Sequence, residues 1–213
     1  MNPGVKPVNI FSLLLSHFIV MLIMTLETAF TSYLLKDNYD IHGDRVAEVA
    51  GNLGFVGDIG SVSMELLSGP AMDIFGRKSI SIGCLMMASF AMFSKPLLKS
   101  LTGLYILKLL TNIGTVPLLY SPYPVDYVAK DSLGLFSTSY CLLVSQCALM
   151  LSTSGAIQVQ KVLPVSYVYF AIGLLSFATS IFFIFGLKDV HTTASKPATR
   201  MLESDADLSL LEE

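Results

Sequence analysis

The sequence predicts an all-α, polytopic membrane protein with six transmembrane helices and both termini cytoplasmic. Three observations carry that prediction. Of the 213 residues, 53% are hydrophobic and 14% charged, against about 25% charged in an ordinary soluble domain. The apolar residues fall into long segments, and a chain of this length has room for about six helices of about 20 residues, with short loops and a tail. Between the second and third segments lies Gly69-Pro-Ala-Met-Asp73-Ile-Phe-Gly76-Arg77-Lys78, which holds the only adjacent basic pair in the chain. That is the composition of a tight turn between two membrane helices. Glycine lets the chain reverse without a Cβ clash. A carboxylate at a helix junction caps free N–H groups or meets the positive end of a helix, and Arg-Lys holds the turn on the cytoplasmic side.

The spans are expected at about 8–35, 46–72, 79–94, 101–125, 132–160 and 162–187. Together they form one membrane domain over 1–190, followed by a disordered acidic cytoplasmic tail over 191–213. The first span is interrupted only by His17 and Glu27, and it is too long for a signal peptide, so it reads as a retained helix. The second is the weakest by hydropathy because it carries Glu48, Asp58 and Glu65. Its helical case rests on the motif that ends it and on Gly51, Gly54, Gly57 and Gly60, spaced by three, which offer a smooth side for close helix approach. The third stops at Lys95-Pro96. In the fourth, Lys108 is the only basic residue, and Pro117, Pro122 and Pro124 bend and then break its end. The fifth is uncharged, and the sixth is rich in Phe, Ile and Ala. After Lys188 the composition turns to Ser, Thr, Ala, Asp and Glu, with no apolar periodicity to offset the entropy of ordering.

With the N-terminus inside, Lys6, Arg77, Lys78, Lys130, Lys188, Lys196 and Arg200 are internal, while Lys36, Arg45, Lys95, Lys99 and Lys161 are external. Cys84, Cys141 and Cys147 all fall in apolar runs without metal spacing and read as small buried hydrophobes. No basic surface for nucleic acid is present, and no cofactor is implied. An enzyme is not expected: there is no Walker-type phosphate loop, no Gly-x-Ser-x-Gly elbow and no zinc-like His/Glu cluster.

The segment from Gly69 to Lys78 resembles the signature loop between the second and third helices of the major facilitator superfamily of secondary transporters. Two weaker motifs lie in register with it. Lys108, Asn112 and Gly114 stand where members carry an Arg followed by glycines in the fourth helix. Tyr123-Pro-Val-Asp126 and Gly134 match the acid and the glycine around the start of the fifth, with Leu133 where an Arg would stand. The resemblance covers about Val8 to Val190 and implies the N-terminal six-helix half of such a transporter. Members bind substrate between two six-helix halves, and this chain ends where the connecting segment would begin. The resemblance therefore implies a half-size or truncated form, or a homodimer that imitates the full fold, because the two halves are parallel repeats about an axis along the membrane normal.

Charged residues in lipid cost about 2.5–3.5 kcal/mol each at a helix centre, so each needs a reason. Glu27 and Lys108 lie about five and about four residues outward of the middles of oppositely running spans, roughly 6–8 Å toward the outer face at 1.5 Å per residue. If the first and fourth helices are neighbours, the two neutralise each other. They then act either as a proton-coupled or substrate-gating pair or as a structural tie. Asp58, near the middle of the second span, is either a proton carrier or a hydrogen-bonded structural acid. Asn52 and Asn112 are further transport-path candidates. His17 is a relay or, more plainly, a core residue. By resemblance, Gly69, Asp73, Gly76, Arg77 and Lys78 form an inner-face latch whose usual partner lies in a second half; structurally they are a turn and a topology signal. Asp207-Leu-Ser-Leu210-Leu211 has the form of an acidic dileucine sorting signal or of a plain solvated tail.

The expected function is transport of a small solute by alternating access, coupled to protons or another ion. The alternative is a non-transporting membrane subunit or scaffold derived from a major-facilitator half. A small-molecule substrate and the lipid bilayer are the expected partners.

Overall fold

The computed structural model describes residues 5–120, 123–128, 130–159 and 162–188. The expected tail over 191–213, and with it the dileucine-like run, lies outside them. All secondary structure among the described residues is helical: α1 (Pro7–Tyr39), α2 (Asp44–Phe75), α3 (Arg77–Ser94), α4 (Leu101–Leu119), α5 (Tyr123–Tyr127), α6 (Lys130–Leu135), α7 (Leu142–Val159) and α8 (Val165–Gly186). A π-helical stretch, Phe136–Cys141, joins α6 to α7, so the fifth expected segment is one helical rod that starts at Lys130. Three helical segments are long and apolar enough to cross a membrane: α1, the segment Leu101–Tyr127 opened by α4, and α8.

Local chemistry sets the ends of the first helices. Pro7 opens α1 at its first position, where a missing N–H is no loss. At the other end Asp40 adopts the left-handed conformation (φ 53°) and its N–H bonds back to Leu35 O. Between α2 and α3 a single residue, Gly76, reverses the chain with φ 86° and ψ 136°, a region closed to side chains with a Cβ. Gly69, read from sequence as part of this reversal, lies inside α2 with open space around it. The helix runs on to Phe75 past Pro70, which has no N–H to donate, so one glycine makes the turn and the other does not.

Hydrogen bonds define two ends of the bundle. At the Asn9 end, Asn9 Nδ2 donates to Gly186 O at 2.8 Å and Lys78 Nζ to Ile184 O at 2.6 Å. There too, Tyr127 OH donates to Lys188 O at 2.8 Å and accepts from Lys188 N–H at 2.9 Å. At the Asn38 end, Asn38 Nδ2 donates to Pro96 O at 3.0 Å, Tyr39 OH donates to Lys95 O at 3.0 Å, and Ser166 Oγ donates to Asn38 Oδ1 at 3.2 Å. The start of α1, the start of α3 and the end of α8 therefore lie together, and successive long helices run antiparallel.

The main packing pairs are α1 with α7, α8 and α4; α2 with α4; and α3 with α4 and α8. Exchanging α1 with α4, α2 with α7 and α3 with α8 maps this set onto itself. Because the helices alternate in direction, each exchange also inverts direction. Backbones meet closely where small residues allow it: a Cβ on Gly114 would stand 2.5 Å from Cys84 O. On α2 the glycine series divides. Gly57 and Gly60 press against Lys108, Asn112 and Leu109 of α4, while Gly51 and Gly54 face open space. Only half of the expected smooth side is thus a contact, because α4 crosses α2 nearer the middle of α2 than its start.

Candidate functional site

α1 carries a stripe of buried residues along most of its length, and Glu27 sits on it, 3% exposed. Its two carboxylate oxygens divide between two lysines. Oε1 accepts from Lys95 Nζ, whose side chain is 1% exposed, and Oε2 lies 3.3 Å from Lys108 Nζ, whose side chain is 15% exposed. Lys108 reaches Glu27 across the α1–α4 contact, with its Cε resting on the bare backbone of Gly57.

Lys95 corrects the sequence reading, which placed it in an external loop as a helix stop. The last turn of α3 continues through it: its N–H donates to Ala91 O at 3.1 Å, and its backbone is right-handed helical. It therefore extends the buried stripe of Leu85, Ala88 and Met92, spaced as one face of a helix. Its ammonium donates in three directions: to Glu27, to Thr111 Oγ1 at 2.7 Å, and toward Met92 Sδ at 3.7 Å. Thr111 can only accept from it, since the threonine hydroxyl proton is given to Leu107 O at 2.8 Å. The stripe Leu85-Ala88-Met92-Lys95 was the signal that could have found this residue.

Other polar groups border the cluster. Thr31 Oγ1 donates to Glu27 O at 2.6 Å. The buried Tyr169 hydroxyl lies beside Thr31 but meets no partner in hydrogen-bonding geometry. Asn112, buried one turn beyond Lys108, donates from Nδ2 to Ser61 Oγ at 3.1 Å. The remaining path candidates stand apart. Asn52 and Asp58 are exposed on α2, and Asp58 lines a shallow depression with Phe55, Ile59, Val62 and Ser63. His17 is buried in α1 with Nδ1 unpartnered.

At the Asn9 end, Arg77 joins two of the sequence motifs. Its Nη1 donates to Asp126 Oδ2, and its Nη2 lies 3.8 Å from Asp73 Oδ1. Asp126 comes from α5, within the same bundle. The Arg77 and Asp126 side chains are 10% and 16% exposed, against 66% for Asp73. The sequence reading looked for the latch's partner in a second half and did not pair these two residues.

An apolar groove of about 350 Å³ runs between α1, α7 and α8, lined by Leu22, Phe30, Leu151, Tyr167 and Ile172 among others. It lacks the convergent polar groups that orient a polar solute. Among the described residues no group of three or more His, Cys, Asp or Glu side chains could hold a metal. No protein-family model, no curated protein and no solved structure matches this chain.

Proposed function

We propose that the chain is a six-span integral membrane protein of the major-facilitator type, with both termini cytoplasmic, and that it moves a small solute by alternating access. The observation that carries the reading is the Glu27–Lys95–Lys108 cluster, three charges enclosed where α1, α3 and α4 meet. Ionisable groups inside an apolar helix bundle are expensive and mark substrate or ion pathways. Here one carboxylate is shared between two cations, an arrangement that can change partners.

Two further features support the six-span form. The exchange of α1–α2–α3 with α4–α7–α8, with inverted direction, is the relation expected of the inverted repeats within one half of this fold. Arg77 and Lys78 stand at the Asn9 end with the start of α1, the side that the positive-inside rule makes cytoplasmic. In this reading the short or charged helices α2, α3 and α7 also cross the bilayer, packed behind the three apolar spans.

The test is flux. Purified full-length chain in proteoliposomes is expected to exchange labelled small solutes above protein-free vesicles. Glu27→Asp is expected to lower that exchange, because the shortened carboxylate cannot span both ammonium groups. Flux equal to empty vesicles across sugars, amino acids, carboxylates and cations would rule transport out. A membrane-impermeant maleimide that labels Ser79→Cys from outside sealed cells would overturn the topology.

A second reading, a non-transporting subunit that keeps the half-fold for packing, is favoured by the exposed apolar faces of α2 (Phe55, Ile59, Leu66) and α7 (Leu143, Met150). A strict monomer in mild detergent, with no partner retained, would count against it and against a homodimer.

A further inference from the structure

We infer that Lys108 is the docking point for a small, singly charged anion, a carboxylate or comparable oxyanion, which the transporter carries. This inference rests on the transport reading and deepens it by naming the substrate class.

The argument begins with charge. Three ionised side chains meet in the cluster, one carboxylate and two ammonium groups, which leaves one positive charge without a counter-ion. Lys95 Nζ contacts Glu27, Thr111 and Met92, and in its ammonium form it has three donors to direct at them and no acceptor. Among the described residues no other carboxylate pairs with either lysine. Asp58, beside Gly57 on α2, is exposed and forms no ion pair among the described residues. An enclosed unbalanced charge is costly, and a mobile counter-ion is the direct remedy.

The two lysines are not equivalent. Lys95 is sealed, 1% exposed, and spends its donors on three protein atoms. Lys108 is 15% exposed and holds Glu27 at 3.3 Å, the looser of the two pairs. An incoming anion can take Lys108 while Glu27 stays with Lys95, so each ammonium gains one anion and the site becomes neutral. The nearby donor Asn112 Nδ2 and the unpartnered Tyr169 hydroxyl add polar edges to the cluster. The excess is one charge, so a monoanion is favoured over a dianion.

The test uses thermal unfolding of the purified full chain in detergent at constant ionic strength. The probes are formate, lactate and nitrate, with lactamide as the neutral match of lactate and choline as the cation. At least one monoanion is expected to raise the midpoint saturably, while lactamide and choline leave it unchanged. Lys108→Gln is expected to abolish that shift and Lys108→Arg to keep it. No shift with any monoanion, an equal shift with lactamide, or a full shift surviving in Lys108→Gln overturns the proposal. Should Lys108→Gln fail to fold, the comparison of lactate with lactamide on the native chain decides. Anion-dependent stabilisation without flux would sink transport and leave the anion site standing. Flux of an uncharged or cationic solute without any anion effect would do the reverse.

Discussion

Among the described residues two ion-pair centres join separate helices of this bundle, and they differ in how far water can reach them. Glu27, Lys95 and Lys108 meet inside it, with side chains 3%, 1% and 15% exposed. Arg77, Asp126 and Asp73 meet at the Asn9 end, graded from a nearly enclosed arginine to an aspartate that is two-thirds exposed. One joins a carboxylate to two lysines and the other an arginine to two carboxylates, and removal of a partner has different consequences in each. Around Asp73 solvent replaces what is lost; around Glu27 nothing does, so a missing partner becomes an uncompensated charge. The inner cluster is thus the centre whose chemistry depends on its occupants, and the end cluster behaves as a graded fastening.

The sharpest way to break that contrast is Glu27→Gln, which leaves two ammonium groups facing each other without a carboxylate. Stability is expected to fall by about 3–5 kcal/mol, read as a lower unfolding midpoint in detergent. Adding Lys95→Met is expected to recover most of it, and a single variant as stable as the native chain would dissolve the distinction between the two centres. Arg77→Ala comes next, with an expected loss of about 1.5–3 kcal/mol from charge-assisted hydrogen bonding to Asp126. A loss exceeding that of Glu27→Gln would reverse the order argued above.

A milder probe of the inner cluster is Gly57→Ala. Its Cβ would stand 2.7 Å from Lys108 Cε and 2.8 Å from Asn112 Nδ2. Both neighbours are side chains that can yield, so the expected penalty is near the low end for overpacking, about 1 kcal/mol, with Lys108 pushed from Glu27. Gly54→Ala, three residues away in open space, is expected to gain about 0.5–1 kcal/mol from helix propensity. Equal effects at both sites would show that α4 does not rest on Gly57. The smallest change is expected from Asp73→Asn, about 0–1 kcal/mol, because its pairing with Arg77 is long and solvated. A larger loss would place Asp73 with Asp126 rather than at the wet edge.

Much of the architecture was legible because hydropathy and helical spacing are local properties. α1, α4 and α8 stand out as apolar runs, and the depth of Glu27 on one helix and Lys108 on its antiparallel neighbour follows from rise per residue alone. A reversal within Gly69–Lys78 was legible for the same reason, and the structure places it at Gly76, where the backbone is one that only glycine adopts easily. Lys95 was not. A lysine before a proline reads as the end of a helix, and only the continuing stripe of Leu85, Ala88 and Met92 marks it as inward-facing. Arg77 and Asp126 were each visible in their motifs, but their pairing joins residues 49 apart in the chain. Gly69 and Gly76 looked alike in sequence, yet one is a helix surface and the other a hinge.

What the sequence determined by itself was therefore the material and its order: apolar helices, their succession, a glycine turn and a few charges that must find partners. Which charges meet was decided by tertiary packing. A lysine side chain reaches across one helix–helix contact, and the choice among neighbours depends on crossing points such as Gly57 under Lys108 and Gly114 against Cys84. Those crossing points arise from the fit of whole helices, and no local window of residues contains them.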